Sequence, residues 1–466
     1  MLFSSIPFLY YFFPCVLISY FLTPTKFKNL TLLCFSLVFY AWGEPKYLSL
    51  MILSIFYGYV SGLLIEKYQD THISKAVFIS SIVFNVGILG YFKYADFFIS
   101  NFNAITGLSI PLLKIALPVG ISFFTFQIFS YTIDVYRKEV PAQKSFIALA
   151  TYISLFPQLI AGPIVRYSDI EKQLVNRKIN VFKMADGIRR FTLGLGKKIL
   201  IANQLGELCD IFLASNDKSI LFYWLYAISF MLHIYFDFSG YSDMAIGLGK
   251  IFGFTFMENF NYPYISKSIT EFWRRWHISL GTWFRDYVYI PLGGNRVSKG
   301  RHIFNIFAVW FLTGMWHGAS WNFIVWGLFF FVILILEKQF LLNHLNKGKF
   351  LNHIYVLFLV AISFVIFNAK DMNDAFATIG GMFGTQGCPF ISTEFVYYLR
   401  SYLIVLVLSI IGATPLPKMV MLKIQKNQIG KKIMVVVEPL VLVLLLIVMT
   451  AYLVDGSFNP FLYFRF

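Results

Sequence analysis

Long apolar runs recur along this chain and constrain its fold more than any other feature. A membrane-spanning helix needs roughly 20 mostly apolar residues. The sequence holds about eleven candidate segments, and some of these are short enough to be half-spans or re-entrant hairpins. Three of them lie near residues 30–42, 47–65 and 76–98. With a mean hydropathy of +0.68 and 13% charged residues, a water-soluble fold of this length could not bury the apolar surface. We therefore predict an all-α polytopic membrane protein.

The basic residues indicate how the chain crosses the bilayer. The formal net charge of +16 comes from short clusters between the apolar runs, which is typical of cytoplasmic loops and does not indicate nucleic acid binding. Residues 1–22 have no preceding basic residue and no small-residue cleavage site, so we expect an uncleaved helix that starts outside. The basic stretches 137–144 and 166–198 then both lie inside. The apolar piece 145–165 between them must be re-entrant, and the tail 455–466 ends outside.

No sequence feature divides the chain or indicates a metal site. The four cysteines are far apart and have no paired spacing, so neither a zinc site nor a disulfide framework is expected. Internal repeats and linkers rich in Gly, Ser or Pro are absent from the sequence. Phosphate-loop, zinc-protease and serine-hydrolase motifs are absent as well. We predict a single membrane domain over residues 1–466.

His317 is the strongest candidate for chemistry. An ionisable side chain at bilayer depth costs a few kcal/mol or more, so its presence is a functional hypothesis. His317 joins the short apolar run 303–312 to the long run 323–336, and Gly314 and Gly318 flank it. These glycines allow a backbone bend or a close helix approach, which predicts a hairpin turn inside the protein. An imidazole there suits a general base or acid. The structural alternative is a histidine that stabilises a helix break.

A second histidine lies in the aromatic and basic segment 271–286. At helical period, this segment predicts an amphipathic interfacial helix with an aromatic face and a basic face. The aromatic face comprises Trp273, Trp276, His277, Leu280, Trp283 and Phe284. The opposite face comprises Arg274, Arg275, Arg285 and Asp286. We expect the basic face to meet anionic headgroups or donor phosphates while His277 points inward, and an interfacial anchor is the structural alternative.

Other polar residues within apolar sequence have a mainly structural interpretation. Asp237 and Asp243 lie at the end of an apolar segment, where carboxylates orient a histidine or cap helix ends. Capping and packing are the roles we predict for them. Gln127, Asp134 and Gln158 are buried polar candidates with the same structural expectation.

Around these residues the sequence resembles a known family, the membrane-bound O-acyltransferases, and within it the alginate O-acetyltransferase branch. The resemblance covers essentially the whole chain and is carried by motifs in matching order and spacing. These motifs are QLIAGP at 158–163, YFDFSGYSDMAIG at 235–247, NYPY at 261–264, FWRRWHIS at 272–279, WFRDYVYIPLGGNR at 283–296, MWHG at 315–318 and NPFLYFRF at 459–466.

The resemblance implies a ring of transmembrane helices around a thin centre, with a cytoplasmic funnel, a tunnel toward the outer face, and re-entrant and interfacial helices. The principal catalytic histidine of the family corresponds to His317, and its second polar position corresponds to His277. We predict substrate contacts for five further residues. They are Trp273, Trp276, Arg285, Asp286 and Trp316.

The implied activity is acetyl transfer from a cytoplasmic thioester, with acetyl-CoA as the expected donor, across a bacterial cytoplasmic membrane. His317 would act as general base or carry the acyl group covalently. The implied acceptor is an extracellular or cell-wall polysaccharide, reached through a secreted or membrane-tethered acetyltransferase partner. No bound cofactor is expected. The alternatives are D-alanyl transfer to teichoic acid, a transporter for lipid-linked sugars, and a noncatalytic scaffold. A transporter usually has paired broken helices, and this sequence lacks such a pairing.

Overall fold

The structure, a computed structural model, describes residues 1–348, 350–456 and 459, and every regular element in these residues is a helix. The α-helices, numbered in chain order, are α1 (Phe13–Leu22), α2 (Lys28–Gly43), α3 (Leu48–Lys67), α4 (His72–Leu89), α5 (Ala95–Thr106), α6 (Ile121–Tyr136), α7 (Phe146–Ser154), α8 (Phe156–Leu159), α9 (Tyr167–Val175), α10 (Val181–Gly196), α11 (Asn203–Ala214), α12 (Ile220–Ile251), α13 (Ile269–Arg275), α14 (Ile278–Phe284), α15 (Lys299–His317), α16 (Trp321–Leu336), α17 (Leu342–Lys347), α18 (Leu351–Asn368), α19 (Met372–Met382), α20 (Thr393–Gly412), α21 (Leu416–Lys426) and α22 (Gln428–Val454). Short π-helical and 3₁₀ segments adjoin them at Pro7–Phe12, Thr25–Phe27, Pro45–Tyr47, Gly90–Tyr94, Lys197–Ala202, Pro263–Ile265, Arg285–Tyr289 and Glu337–Leu341.

Seven helices in the described ranges are long and apolar enough to cross a membrane. They are Pro45–Lys67, His72–Thr106, Ile220–Ile251, Trp321–Leu345, Leu351–Asn368, Thr393–Gly412 and Gln428–Val454. The predicted all-helical membrane fold is confirmed, and two of the predicted spans, near 47–65 and 76–98, lie within these helices. The total of about eleven spans and the central funnel and tunnel remain predictions. Most of the predicted outer tail, with the last matching motif, lies outside the described residues.

The chain divides into two compact units. The first comprises Met1–Phe191 and Met244–Met257, and the second comprises Thr192–Asp243 and Glu258–Phe466. Helices α10 and α12 each supply residues to both units. A single domain over residues 1–466 remains a prediction.

In the first unit, the predicted re-entrant piece 145–165 forms two buried helices, α7 and α8, with a break at Leu155. Helix α7 has nine residues and rises roughly 14 Å at 1.5 Å per residue, about half of a bilayer core. It is therefore too short to cross alone, as a re-entrant segment requires. The side on which its two ends emerge remains a prediction.

Polar side chains in the first unit support this segment from within. Gln127, Asp134 and Gln158 are all buried, in agreement with the sequence. The Tyr152 hydroxyl of α7 donates to the carbonyl oxygen of Val165 at 2.9 Å. Nε2 of Gln158 donates to the carbonyl oxygen of Tyr152. Gln158 thus satisfies a backbone group of the irregular segment, which supports its structural interpretation.

Two ion pairs anchor α12 in the second unit. Lys198 and Asp237 are almost fully buried, with Nζ and Oδ1 2.5 Å apart. Lys197 pairs with Asp243 at 2.7 Å. Both aspartates lie inside the helix, where their carboxylates compensate lysines of the π-helical turn Lys197–Ala202. The prediction that they cap helix ends is therefore wrong. The apolar pattern of the sequence ends near these aspartates, but the helix continues to Ile251.

Candidate active site

The helix predicted over residues 271–286 is broken at His277. Helix α13 ends at Arg275 and α14 begins at Ile278. Trp276 is extended, and His277 lies in the left-handed region at φ 45° and ψ 53°. This region costs a non-glycine residue roughly 1–2 kcal/mol, so surrounding contacts must hold it. The prediction of one continuous amphipathic helix is wrong, because these tertiary contacts outweigh the helical period.

Asn259 supplies those contacts from the non-helical segment that follows α12. This residue is fully buried, and its carbonyl oxygen accepts a hydrogen bond from the Ile278 amide at 3.0 Å. Its side-chain Oδ1 accepts from the Ser279 amide at 3.2 Å and lies 3.1 Å from Nδ1 of His277. The amide of Asn261 also donates to the carbonyl oxygen of Arg275 at 2.9 Å. Together, these bonds fix the turn that carries His277.

A cavity of about 510 Å³ lies beside His277. Trp273, Trp276 and Trp310 contribute aromatic walls, and Phe284 contributes a further apolar surface. Two of the wall residues have a buried ring nitrogen without a hydrogen-bond partner among the described residues, Nε2 of His277 and Nε1 of Trp273. Apolar walls with a few unsatisfied polar groups are typical of a small-molecule site.

Two arginines line the same cavity. Arg285 is 59% exposed and pairs with Asp286, with Nε 2.7 Å from Oδ1. Arg274 is exposed and makes no salt bridge to any described residue. The prediction that aromatic and basic side chains occupy opposite faces is therefore wrong, because the break at His277 brings both to one cavity. Asp286 is not a wall residue and instead compensates Arg285.

His317 lies at a helical hairpin. Helix α15 ends at His317, and α16 begins at Trp321. The helices approach closely at glycines, since a Cβ on Gly314 would lie 2.5 Å from the carbonyl oxygen of Phe323. A Cβ on Gly327 would likewise meet the carbonyl oxygen of Trp310. The predicted hairpin turn and close helix approach are confirmed.

Aromatic rings surround the imidazole of His317. This half-buried ring is nearly perpendicular to Trp326 and Phe367, with centroids 5.0 and 5.2 Å away. The Trp316 ring lies 4.9 Å from His317 and 6.0 Å from His277. Trp316 therefore contacts both imidazoles. His277 is a wall residue of the cavity and His317 is not.

The two histidines have different electrostatic environments. His277 is buried, and this burial lowers its pKa from 6.5 to about 3, so its imidazole is neutral at physiological pH. A neutral imidazole has one ring nitrogen without a proton, and this nitrogen is able to accept a hydrogen bond. Among the described residues, no group of three or more His, Cys, Asp or Glu side chains is arranged to hold a metal ion.

Sequence reasoning missed two residues that shape the site. Asn259 is one, and its only sequence signal is a polar residue in a stretch without helical period, just before the motif at 261–264. Glu337 is the other. Its buried carboxylate accepts hydrogen bonds from the backbone amides of Ile269 and Thr270, at 2.6 and 2.8 Å. These bonds hold the first turn of α13, which carries Trp273.

The apolar helices that surround this site are those of a multi-pass membrane protein. The sequence pattern of the MBOAT, membrane-bound O-acyltransferase family matches residues 86–369. The chain belongs to this family and is an acyltransferase. The matched region contains both histidines, Asn259 and the aromatic wall residues of the cavity.

Individual relatives narrow the class to O-acetyltransferases. The chain is 38% identical to the "Probable alginate O-acetylase AlgI" of Pseudomonas putida over the full length of both chains. It is 44% identical to the protein of that name from Pseudomonas aeruginosa, over 82% of this chain and 75% of the relative. It is 35% identical to the "Peptidoglycan O-acetyltransferase" of Helicobacter pylori, over 83% of this chain and 80% of the relative.

Proposed function

We propose that this chain transfers an acetyl group from cytoplasmic acetyl-CoA across the bacterial cytoplasmic membrane to a hydroxyl acceptor, with His317 as the general base. The observation that carries the proposal is the hairpin histidine, which shares the Trp316 ring with a second histidine in an aromatic cavity that two arginines line. The O-acetylase names of the relatives support acetyl as the group transferred.

The reaction needs a general base near the hydroxyl group that receives the acetyl group. His317 takes the hydroxyl proton as the oxygen attacks the carbonyl carbon of the thioester. A carbon–oxygen bond forms, the carbon–sulfur bond breaks, and the departing thiolate takes the proton from the imidazolium. The products are an acetyl ester and a free thiol. The covalent alternative, in which His317 itself carries the acetyl group, predicts a labelled enzyme in the absence of acceptor.

We assign the cavity beside His277 to the donor. Arg274 has no carboxylate partner among the described residues, so its guanidinium is available for phosphate oxygens. Arg285 is partly compensated and contributes less charge. The walls of Trp273 and Trp276 suit the less polar arm of a thioester donor, and the Trp316 ring contacts both the cavity residue His277 and His317.

We further propose that the acetyl group reaches a polysaccharide outside the cell. The relatives are named for alginate and for peptidoglycan, which are both polysaccharide-containing polymers with hydroxyl groups. Transfer to a polymer outside the membrane requires a carrier on that side. We assign this role to a secreted or membrane-tethered acetyltransferase partner.

The test is acetyl transfer by the purified chain in proteoliposomes. Radiolabelled acetyl-CoA is supplied on one side and the partner, encoded beside it or co-purified with it, on the other. We expect the label to reach the partner or its polymer. Transfer from a D-alanyl carrier thioester instead would indicate that the chain modifies teichoic acid. Transfer from neither donor would contradict the proposal. Label that stays on the enzyme without acceptor would establish the covalent route.

A further inference from the structure

The side-chain amide of Asn259 has one orientation that satisfies its neighbours. A backbone N–H donates only, so the atom that faces the Ser279 amide at 3.2 Å must be Oδ1. The Ser279 hydroxyl donates to the same oxygen at 2.9 Å. The Nδ2 atom then faces the Ser242 hydroxyl at 3.0 Å and donates to it. A flipped amide would place two donors against each other.

This orientation determines which nitrogen of His277 carries the proton. Nδ1 lies 3.1 Å from Oδ1 of Asn259, and a carbonyl oxygen only accepts, so Nδ1 must donate. The Ser279 hydroxyl is 3.4 Å from Nδ1 but donates over the shorter distance to Asn259. The neutral imidazole therefore holds its proton on Nδ1, and Nε2 carries the lone pair.

The ring nitrogen that carries the lone pair has no hydrogen-bond donor beside it among the described residues. Nε2 of His277 is buried and makes no hydrogen bond to the described part of the chain, and His277 lines the 510 Å³ cavity. The residues packed on the ring, Phe238 and Trp316, carry no charge. Arg274 and Arg285 are the charged wall residues of the cavity. A buried acceptor without a partner is destabilising, and a ligand with a matching donor would relieve this cost.

We propose that Asn259 is a positioning residue that fixes His277 as the Nδ1–H tautomer, so that Nε2 accepts a hydrogen bond from an N–H or O–H group of the substrate in this cavity. The inference deepens the acetyl-transfer function proposed above and rests on it for its kinetic test. Asn259 also holds His277 in its left-handed conformation through the amides of Ile278 and Ser279. The backbone and the side chain of Asn259 together thus set the direction of the ring, and the side chain sets its tautomer.

Two substitutions separate this role from a structural one. Asn259→Asp keeps an acceptor for both the Ser279 amide and Nδ1, but its negative charge favours the imidazolium, in which Nε2 becomes a donor. We expect its kcat/KM to fall at low pH and to recover as the pH rises. Asn259→Leu offers no acceptor, so we expect a loss on the order of 10²-fold at every pH. The control Asn85→Leu removes a buried amide that donates to the carbonyl oxygen of Ser81 in its own helix, and we expect native activity.

Equal, pH-independent losses in the two Asn259 variants would show a merely structural role, and native activity in Asn259→Leu would refute any role. A measurement without turnover separates this inference from the proposed function. In protein labelled with [¹⁵N]histidine, with His277 assigned through His277→Asn, we expect Nε2 without a proton in the native chain and a shift toward Nε2–H in Asn259→Leu. A protonated Nε2 in the native protein would overturn the tautomer. The expected spectrum in a chain that transfers no acetyl group would refute only the proposed function.

Discussion

Adding one methyl group to the hairpin should displace His317. A Cβ on Gly314 would lie 2.5 Å from the carbonyl oxygen of Phe323, whereas ordinary contact begins at 3.4 Å. The opposing atom belongs to the backbone of α16, so the two helices must separate by about 0.9 Å. His317 ends α15 less than one turn beyond the contact and would move with it.

The size of the effect follows from this displacement. A misplacement of about 1 Å costs on the order of 10²-fold in rate, and overpacking costs about 1–3 kcal/mol in stability. We therefore expect Gly314→Ala to lower kcat/KM for acetyl transfer by on the order of 10²-fold while the protein remains folded. The assay combines acetyl transfer in proteoliposomes with the thermal unfolding midpoint in detergent.

The matched control lies on the same helix. A Cβ on Gly300 would meet no atom within 4 Å, and alanine has the better helix propensity, by up to about 1 kcal/mol. We expect Gly300→Ala to keep native activity and equal or higher stability. Native activity in Gly314→Ala, or the same loss in both variants, would refute the reasoning that links the glycine contact to His317.

Four further predictions concern charge and burial. Arg274→Gln should raise the KM for acetyl-CoA by roughly 10- to 100-fold with little change in kcat, since a charged hydrogen bond contributes about 1.5–3 kcal/mol; an unchanged KM would place the donor elsewhere. The pKa of His277 is about 3 in the folded protein, and its ordinary value is 6.5. The free energy of unfolding should therefore fall as the pH drops through this window, by up to about 1.4 kcal/mol per pH unit. Unfolding measured at pH 7.5 and 5.5 should show this dependence in the native chain and lack it in His277→Asn. Lys198→Met should destabilise by about 3–5 kcal/mol and the double variant with Asp237→Leu by less, as a double-mutant cycle would measure; additive losses would contradict the pairing. Glu337→Ala should lower the unfolding midpoint more than Glu337→Gln does, because glutamine keeps one acceptor for the α13 amides.

The hairpin at His317 was predictable because its signals are local. Gly314 and Gly318 stand on either side of the histidine, between two apolar runs, and the structure turns between those runs. Spans such as those near 47–65 and 76–98 were predictable for a similar reason, since continuous apolar sequence identifies them directly.

The second histidine shows where local pattern fails. The helical period of residues 271–286 favours one continuous helix. The residue that holds the break at His277 is Asn259, which lies 18 residues before His277 and outside this segment. The same break brings Arg274 into the cavity wall with Trp276 and removes the division into two faces. Asn259 and Glu337 act on backbone amides that are distant in sequence, and such tertiary contacts leave no periodic signal.

The most direct test of the account compares His317→Gln with His72→Gln in the same proteoliposome assay. His72 is an exposed histidine at the start of α4 and is not a wall residue of the cavity. Loss of a general base costs on the order of 10² to 10⁴ in rate. We predict a loss of this size for folded His317→Gln and native transfer for His72→Gln, whereas native transfer by His317→Gln would remove His317 from the mechanism and contradict the account.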